Sequence, residues 1–113
     1  MHEMSLVEGV RELIEDAAAR EGFSSVKQVR VEIGQLSGVE REAFEFCFDL
    51  AMRDGIAAGA ALEIVATPGR GRCLDCGREG ALAVVYDPCE HCGAMPVEVV
   101  GGTEMRVIDL EVE

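Results

Sequence analysis

The 113-residue chain has no uninterrupted apolar run long enough to span a bilayer, and its start, Met1-His2-Glu3-Met4-Ser5, lacks the basic residues and hydrophobic stretch of a secretory signal. A cytoplasmic protein is therefore expected. Positive charge is scarce as well: ten Lys and Arg are scattered among 22 Asp and Glu, for a formal net charge of −12. Phosphate backbones are bound through clustered Lys and Arg, so this balance argues against nucleic acid as a partner and suits cations or basic protein surfaces. Neither a phosphate-cradling glycine loop, nor a carboxylate pair, nor a nucleophile beside a base is evident, and no enzymatic activity is expected. Cys47 has no partner His or Asp pattern and sits among apolar residues at helical spacing, which reads as a small buried core residue.

What the chain does have is a pair of Cys-x-x-Cys motifs, Cys73/Cys76 and Cys89/Cys92, with twelve residues between them. Two residues between thiols let both sulfurs of a pair turn toward one ion, and two pairs complete the tetrahedral S4 shell that Zn2+ favours. Gly77 and Gly93 each follow the second cysteine of a pair, where a tight turn calls for positive φ. Iron in a rubredoxin-like site uses the same ligands, and His91 inside the second pair offers an alternative Cys3His set. Structural zinc in Cys73, Cys76, Cys89 and Cys92 is the expectation, and a closed S4 site leaves no open position for catalysis.

Apolar residues Leu6, Val10, Leu13, Ile14 and Ala17 predict an amphipathic helix over 5–21, with either Ser5 and Glu8 as a capping box or a start a residue or two earlier, and Gly22 as its stop. Val29, Val31 and Ile33 alternate as in a half-buried strand. A second helix is predicted over 39–53 and a second strand over 62–66, and Thr67-Pro68-Gly69-Arg70-Gly71 reads as a hinge. Residues 72–100 hold the cysteines and strand-like runs at 81–86 and 97–100. Along 103–113 the apolar parity changes between Val107 and Ile108, predicting a strand with a bulge or with both faces covered. The fold class expected is α+β: two helices on a three-stranded sheet formed by 1–68 and 103–113, with a small zinc-ribbon lobe, 69–102, inserted. Metal binding should supply much of that lobe's folding free energy, on the order of 10 kcal/mol. Both a monomer and a domain-swapped homodimer suit such tethered elements.

Met1-His2-Glu3 is the other candidate for chemistry. A free α-amine, the amide nitrogen of residue 2 and the His2 imidazole form two fused chelate rings, a planar nitrogen set suited to Ni2+ or Cu2+. That start, extended through Met4-Ser5-Leu6, together with Val31-Glu32-Ile33-Gly34, Phe46-Cys47-Phe48-Asp49-Leu50, the four cysteines and the ending from Gly101 to Val112, resembles the HypA/HybF family end to end. The resemblance implies a nickel metallochaperone for [NiFe]-hydrogenase maturation, with an α/β nickel-binding lobe carrying an inserted zinc lobe. It implies Ni(II) held by the Met1 amine, His2 and backbone nitrogen around Glu3, with Glu40, where family members can have Asp, as a further contributor. It also implies the HypB GTPase and the hydrogenase large-subunit precursor as partners. Some members tied to urease as well as hydrogenase place a His immediately after the cysteine pairs, where this chain has Gly77 and Gly93, which weakens any claim of a urease role.

Overall fold

The computed structural model describes residues 3–95 and 97–113. Helix α1 runs Glu3–Glu21, so of the two starts expected the earlier one holds, and Ser5 lies inside the helix rather than capping it. Its buried side chains are Val7, Val10, Ile14 and Ala17, at spacings of three and four. Leu13, expected in this stripe, is 45% exposed, because one residue of helix turns it roughly 100° from Ile14. Gly22 donates its N–H to Ala18 O at 2.8 Å and closes the last turn.

Strand β1, Val26–Gly34, begins three residues before the alternation that predicted it. Pairing supplies the difference: Val26 N–H donates to Ile56 O at 2.9 Å, and Glu113 N–H to Ser25 O at 3.0 Å. Val29 and Val31 are fully buried and Ile33 nearly so. β1 is the central strand, with β2, Ala61–Thr67, on one side and β6, Met105–Val112, on the other. Its polar face is matched to both neighbours: Arg30 pairs with Asp109 at 2.8 Å and Glu63 at 3.4 Å, and Gln28 donates to Glu63 at 3.1 Å. In β6 Val107 and Ile108 are both half-buried, which is how the strand accommodates its change of parity.

Helix α2, Arg41–Met52, buries Phe44, Phe48 and Met52, one per turn. It starts two residues later than the apolar pattern suggested, because Glu40 is extended and acts as its N-cap. Cys47, next to Phe48 but rotated off that stripe, is half-buried rather than a core residue. α1 packs against α2, and Arg11 donates from Nη1 to Ala51 O at 2.7 Å and to Asp54 Oδ1 at 2.6 Å, beyond the last turn of α2.

The chain divides into two compact units. The first holds the described residues up to Val31, then Val39–Val65 and Arg106–Glu113; the second holds Glu32–Gly38 and Ala66–Met105. In the second, β3 (Arg70–Cys73) lies between β4 (Glu79–Ala81) and β5 (Val97–Gly101), antiparallel to both. The residues read as a hinge therefore include the start of a strand. Gly71 is needed there because a Cβ would overlap Val97 and approach Leu82, whose side chain is 1% exposed and centres this small core. The strand expected over 81–86 stops at Ala81. Asp87 folds the residues between it and Leu82 into a turn, accepting from Ala83 N–H and Val84 N–H at 3.1 Å each.

Residues 32–38 are tied to this second unit through the backbone. Gly34 N–H donates to Glu104 O at 2.8 Å, Gln35 N–H to Thr67 O at 2.8 Å and Leu36 N–H to Gly102 O at 2.7 Å, while the Gln35 side chain accepts from Gly69 N–H at 2.9 Å. These passages approach so closely that a Cβ on Gly34 would meet Gly102 O. Gly102, at φ +80°, has Pro68 O 2.5 Å and Gly69 Cα 2.6 Å from where its own Cβ would stand.

Candidate metal centre

Both cysteine pairs sit on turns of the same construction. Cys73 ends β3; its carbonyl accepts from Gly77 N–H at 3.0 Å and its N–H donates to Arg78 O at 2.9 Å. Cys89 repeats this with Gly93 at 2.8 Å and Ala94 at 2.9 Å. Gly77 and Gly93 stand at φ +77° and +74°, the left-handed conformation their position in the sequence called for. Inside each turn, backbone N–H groups point at the first sulfur: Asp75 and Cys76 both donate to Cys73 Sγ at 3.3 Å, and His91 donates to Cys89 Sγ at 3.3 Å.

The turns bring four sulfurs together, all within 4.8 Å of one another. Cys73 and Cys92 are separated by 3.6 Å and Cys76 and Cys89 by 3.8 Å. A tetrahedral ion with metal–sulfur bonds of about 2.3 Å requires sulfur–sulfur edges of about 3.8 Å. The set therefore has the dimensions of a closed S4 shell, with Cys73 and Cys89 buried and Cys76 and Cys92 exposed. His91 does not belong to it: Nε2 lies 3.0 Å from Glu79 O, which disposes of the Cys3His alternative.

Electrostatics within the cluster are uneven. The N–H groups of Cys76 and Asp75 lower the Cys73 thiol to about 6, and those of Cys92 and His91 lower Cys89. Cys92 receives the Ala94 N–H, which lowers it, but the neighbouring sulfur of Cys73, burial and the other two cysteines outweigh that and push it up to about 12. The hydrogen-bonded first cysteine of each turn is thus shifted toward the thiolate, the form that binds metal.

Sequence reasoning missed the residues that seat the second turn on the sheet. Glu90 Oε2 accepts from Ala81 N–H at 2.9 Å while its side chain covers Gly80, and His91 reaches the Glu79 carbonyl from the same turn. Their only signal is their place inside Cys-x-x-Cys, which by itself indicates nothing beyond spacing.

Of the N-terminal candidates, Met1 and His2 lie outside the described residues. Glu3 and Glu40 are brought together: Glu3 Oε2 accepts from Glu40 N–H at 3.1 Å. The Glu40 carboxylate faces α2, accepting from Ala43 N–H at 2.6 Å and Glu42 N–H at 3.3 Å.

An α+β unit of two helices and a three-stranded sheet, joined to a zinc-ribbon-like unit with four converging thiols that could hold a metal ion, defines a small protein of metal-binding type. Residues 1–112 match the family described as hydrogenase/urease nickel incorporation, metallochaperone, HypA. The chain belongs to the HypA family, whose members are metallochaperones and maturation factors, not enzymes. It is 52% identical over 113 residues, covering all of both chains, to the hydrogenase maturation factor HypA of Cereibacter sphaeroides, and 55% identical over the same span to that of Albidiferax ferrireducens. Among solved structures it resembles that of the Ni metallochaperone HypA from Helicobacter pylori. There the TM-score is 0.70 at 30% identity, with 99% of this chain and 97% of the other covered. A second HypA solution structure gives 0.73 at 30% identity, over 100% and 97% of the two chains.

Proposed function

We propose that this chain carries Ni(II) to the hydrogenase large-subunit precursor in the cytoplasm, working with the HypB GTPase, and that Zn2+ in Cys73, Cys76, Cys89 and Cys92 is structural. The match of the HypA family over residues 1–112 carries this reading. The sulfur spacing supports the zinc assignment, since it agrees with metal–thiolate bond lengths. Nickel is cargo, and its donors are the Met1 amine, His2 and the backbone nitrogen around Glu3. An α-amine titrates at about 7.7 to 8.0, so protons compete with nickel near neutrality and the metal stays releasable.

The test is a calorimetric nickel titration at neutral pH of zinc-loaded, untagged protein with its native Met1 amine, alongside His2→Ala. The expected result is stoichiometric nickel binding that His2→Ala abolishes, with one zinc per chain retained by both proteins. Equal nickel binding by both would move the cargo site elsewhere and leave an interaction module built on a zinc ribbon. A red, redox-active preparation would replace zinc by iron.

A further inference from the structure

The two cysteine turns are placed by different means. Cys73 ends β3, a strand paired on both sides, whereas the turn of Cys89 and Cys92 follows residues 82–88, which form no strand. What that second turn meets is the outer edge of β4. Cys73 N–H donates to Arg78 O and Leu82 N–H to Gly69 O, so by alternation Glu79 and Ala81 turn their backbone groups away from β3. An edge of this kind is a row of unpaired groups. Here two side chains take it. The Glu90 carboxylate accepts from Ala81 N–H at 2.9 Å, and His91 Nε2 lies 3.0 Å from Glu79 O, where facing a carbonyl makes it the protonated, donating nitrogen. An acceptor and a donor thus stand where a fourth strand would offer its C=O and N–H. Gly80, between the two bonded residues, makes room for this, because a Cβ there would lie 2.7 Å from Glu90 Cδ and 2.8 Å from Cγ.

We propose that Glu90 and His91 are positioning residues that latch the second cysteine turn to the β4 edge and thereby set how long a bound zinc ion is retained. This rests on the structural-zinc reading of the four cysteines. Neither side chain belongs to the sulfur set. Both occupy the two places between Cys89 and Cys92, so fixing them fixes the turn itself. His91 does so doubly, since its ring is tied to β4 while its own N–H donates to Cys89 Sγ at 3.3 Å. Zinc leaves a closed S4 shell when one turn lifts away, and the turn without a strand of its own is the one with less to hold it down. Glu90 and His91 oppose that step from outside the ligand set, as groups behind metal ligands do elsewhere. Both side chains are partly exposed, which keeps the effect of each bond at the lower end of its range. Losing the bond to the charged Glu90 should cost about a factor of ten, and losing the neutral bond from His91 about a factor of five.

The experiment compares the full-length wild type with Glu90→Gln, Glu90→Ala, His91→Ala and Gly80→Ala. Zinc per chain is measured first, then the rate at which zinc passes to an excess of chromophoric chelator and the hydrogen exchange of the Ala81 amide. The d–d spectrum of each protein reloaded with Co(II) reports the ligand set. The amide oxygen of Gln can accept the Ala81 bond, so Glu90→Gln should stay close to wild type in every readout. Glu90→Ala should release zinc about 10-fold faster and His91→Ala about 5-fold faster, with the cobalt bands unmoved because the four thiolates still ligate. Exchange at Ala81 should quicken in Glu90→Ala. Gly80→Ala displaces the Glu90 side chain while leaving the turn's own sequence intact, and should follow Glu90→Ala in both release and exchange. Release unchanged in Glu90→Ala or His91→Ala would overturn the proposal. So would equal release from Glu90→Gln and Glu90→Ala, which would make the charge and not the bond responsible, or a cobalt band shift in either alanine variant, which would mean a changed ligand set. A wild type without zinc would overturn the zinc reading and this proposal together, whereas one zinc per chain with equal release throughout would overturn this proposal alone.

Discussion

Replacing Gly102 by alanine should cost far more than its backbone angle alone accounts for. Gly59 provides the comparison, because it stands at φ +75° with nothing within 4 Å of the place a Cβ would occupy, whereas Gly102 stands at φ +80° against backbone atoms at 2.5 and 2.6 Å. Left-handed backbone costs an L-residue about 1–2 kcal/mol. Part is returned, about 0.4–1 kcal/mol, because alanine also restricts the unfolded chain. Gly59→Ala should therefore lose about 1 kcal/mol. In Gly102→Ala the methyl group also meets Pro68 O and Gly69 Cα, which belong to another passage of main chain and cannot rotate away. Overpacking of that kind adds about 1–3 kcal/mol, giving a total of about 2–4 kcal/mol. Zinc-loaded protein would be titrated with urea while zinc release to a chromophoric chelator and far-ultraviolet circular dichroism are followed together. With a slope of about 2 kcal/mol per molar, Gly102→Ala should lower the zinc-release midpoint by about 1–2 M. Equal midpoints for the two variants would show that the close approach at Gly102 is without energetic consequence and refute the reasoning.

Zinc affinity should fall with acid in two regimes. In metal-free protein between pH 6 and 12, Cys73 is a thiolate and Cys92 a thiol, so zinc must displace the Cys92 proton; below about 6 it must displace that of Cys73 as well. The folded-state value of Cys73 is depressed, so its favourable contribution is present above the ordinary thiol range and is lost as pH falls through about 6. Chelator competition between pH 5 and 8 should show the slope of log affinity against pH steepening by about one proton below 6; a constant slope would contradict the bonds to Cys73 Sγ. Stripping zinc with a strong chelator should remove the order of β3 to β5 while leaving most of the helical signal, because α1 and α2 both belong to the other unit. A loss of more than half the ellipticity at 222 nm would contradict that separation.

The convergence of the four cysteines was legible in the sequence because its geometry is local. Two intervening residues and a glycine determine each turn, and the φ values of Gly77 and Gly93 follow from the same few atoms. Helices and strands were legible from periodicity, but their edges were not, since these depend on partners: Ile56 and Glu113 lengthen β1, and Glu40 delays α2. The run from Ala81 to Tyr86 misled for a physical reason. It has the composition of a strand, yet Asp87 supplies bonds that a turn can use, and Val85 and Tyr86 are left 54% and 72% exposed. Glu3 and Glu40 meet only in three dimensions. Neither carries a periodic signal of the contact, so a carboxylate that caps a helix and one offered to a metal look the same in sequence.

The attachment of residues 32–38 to the cysteine-bearing unit bears on how that unit could be reused. A fragment cut at Gly69 would keep all four sulfurs and lose Gln35, whose side chain accepts the Gly69 N–H, together with the Leu36 N–H that donates to Gly102 O. The portable object is discontinuous in the gene. Moving it to another scaffold calls for a permuted chain in which Glu32–Gly38 is joined by a designed linker to Ala66–Met105, so that the transplanted ribbon brings its own second layer of backbone bonds.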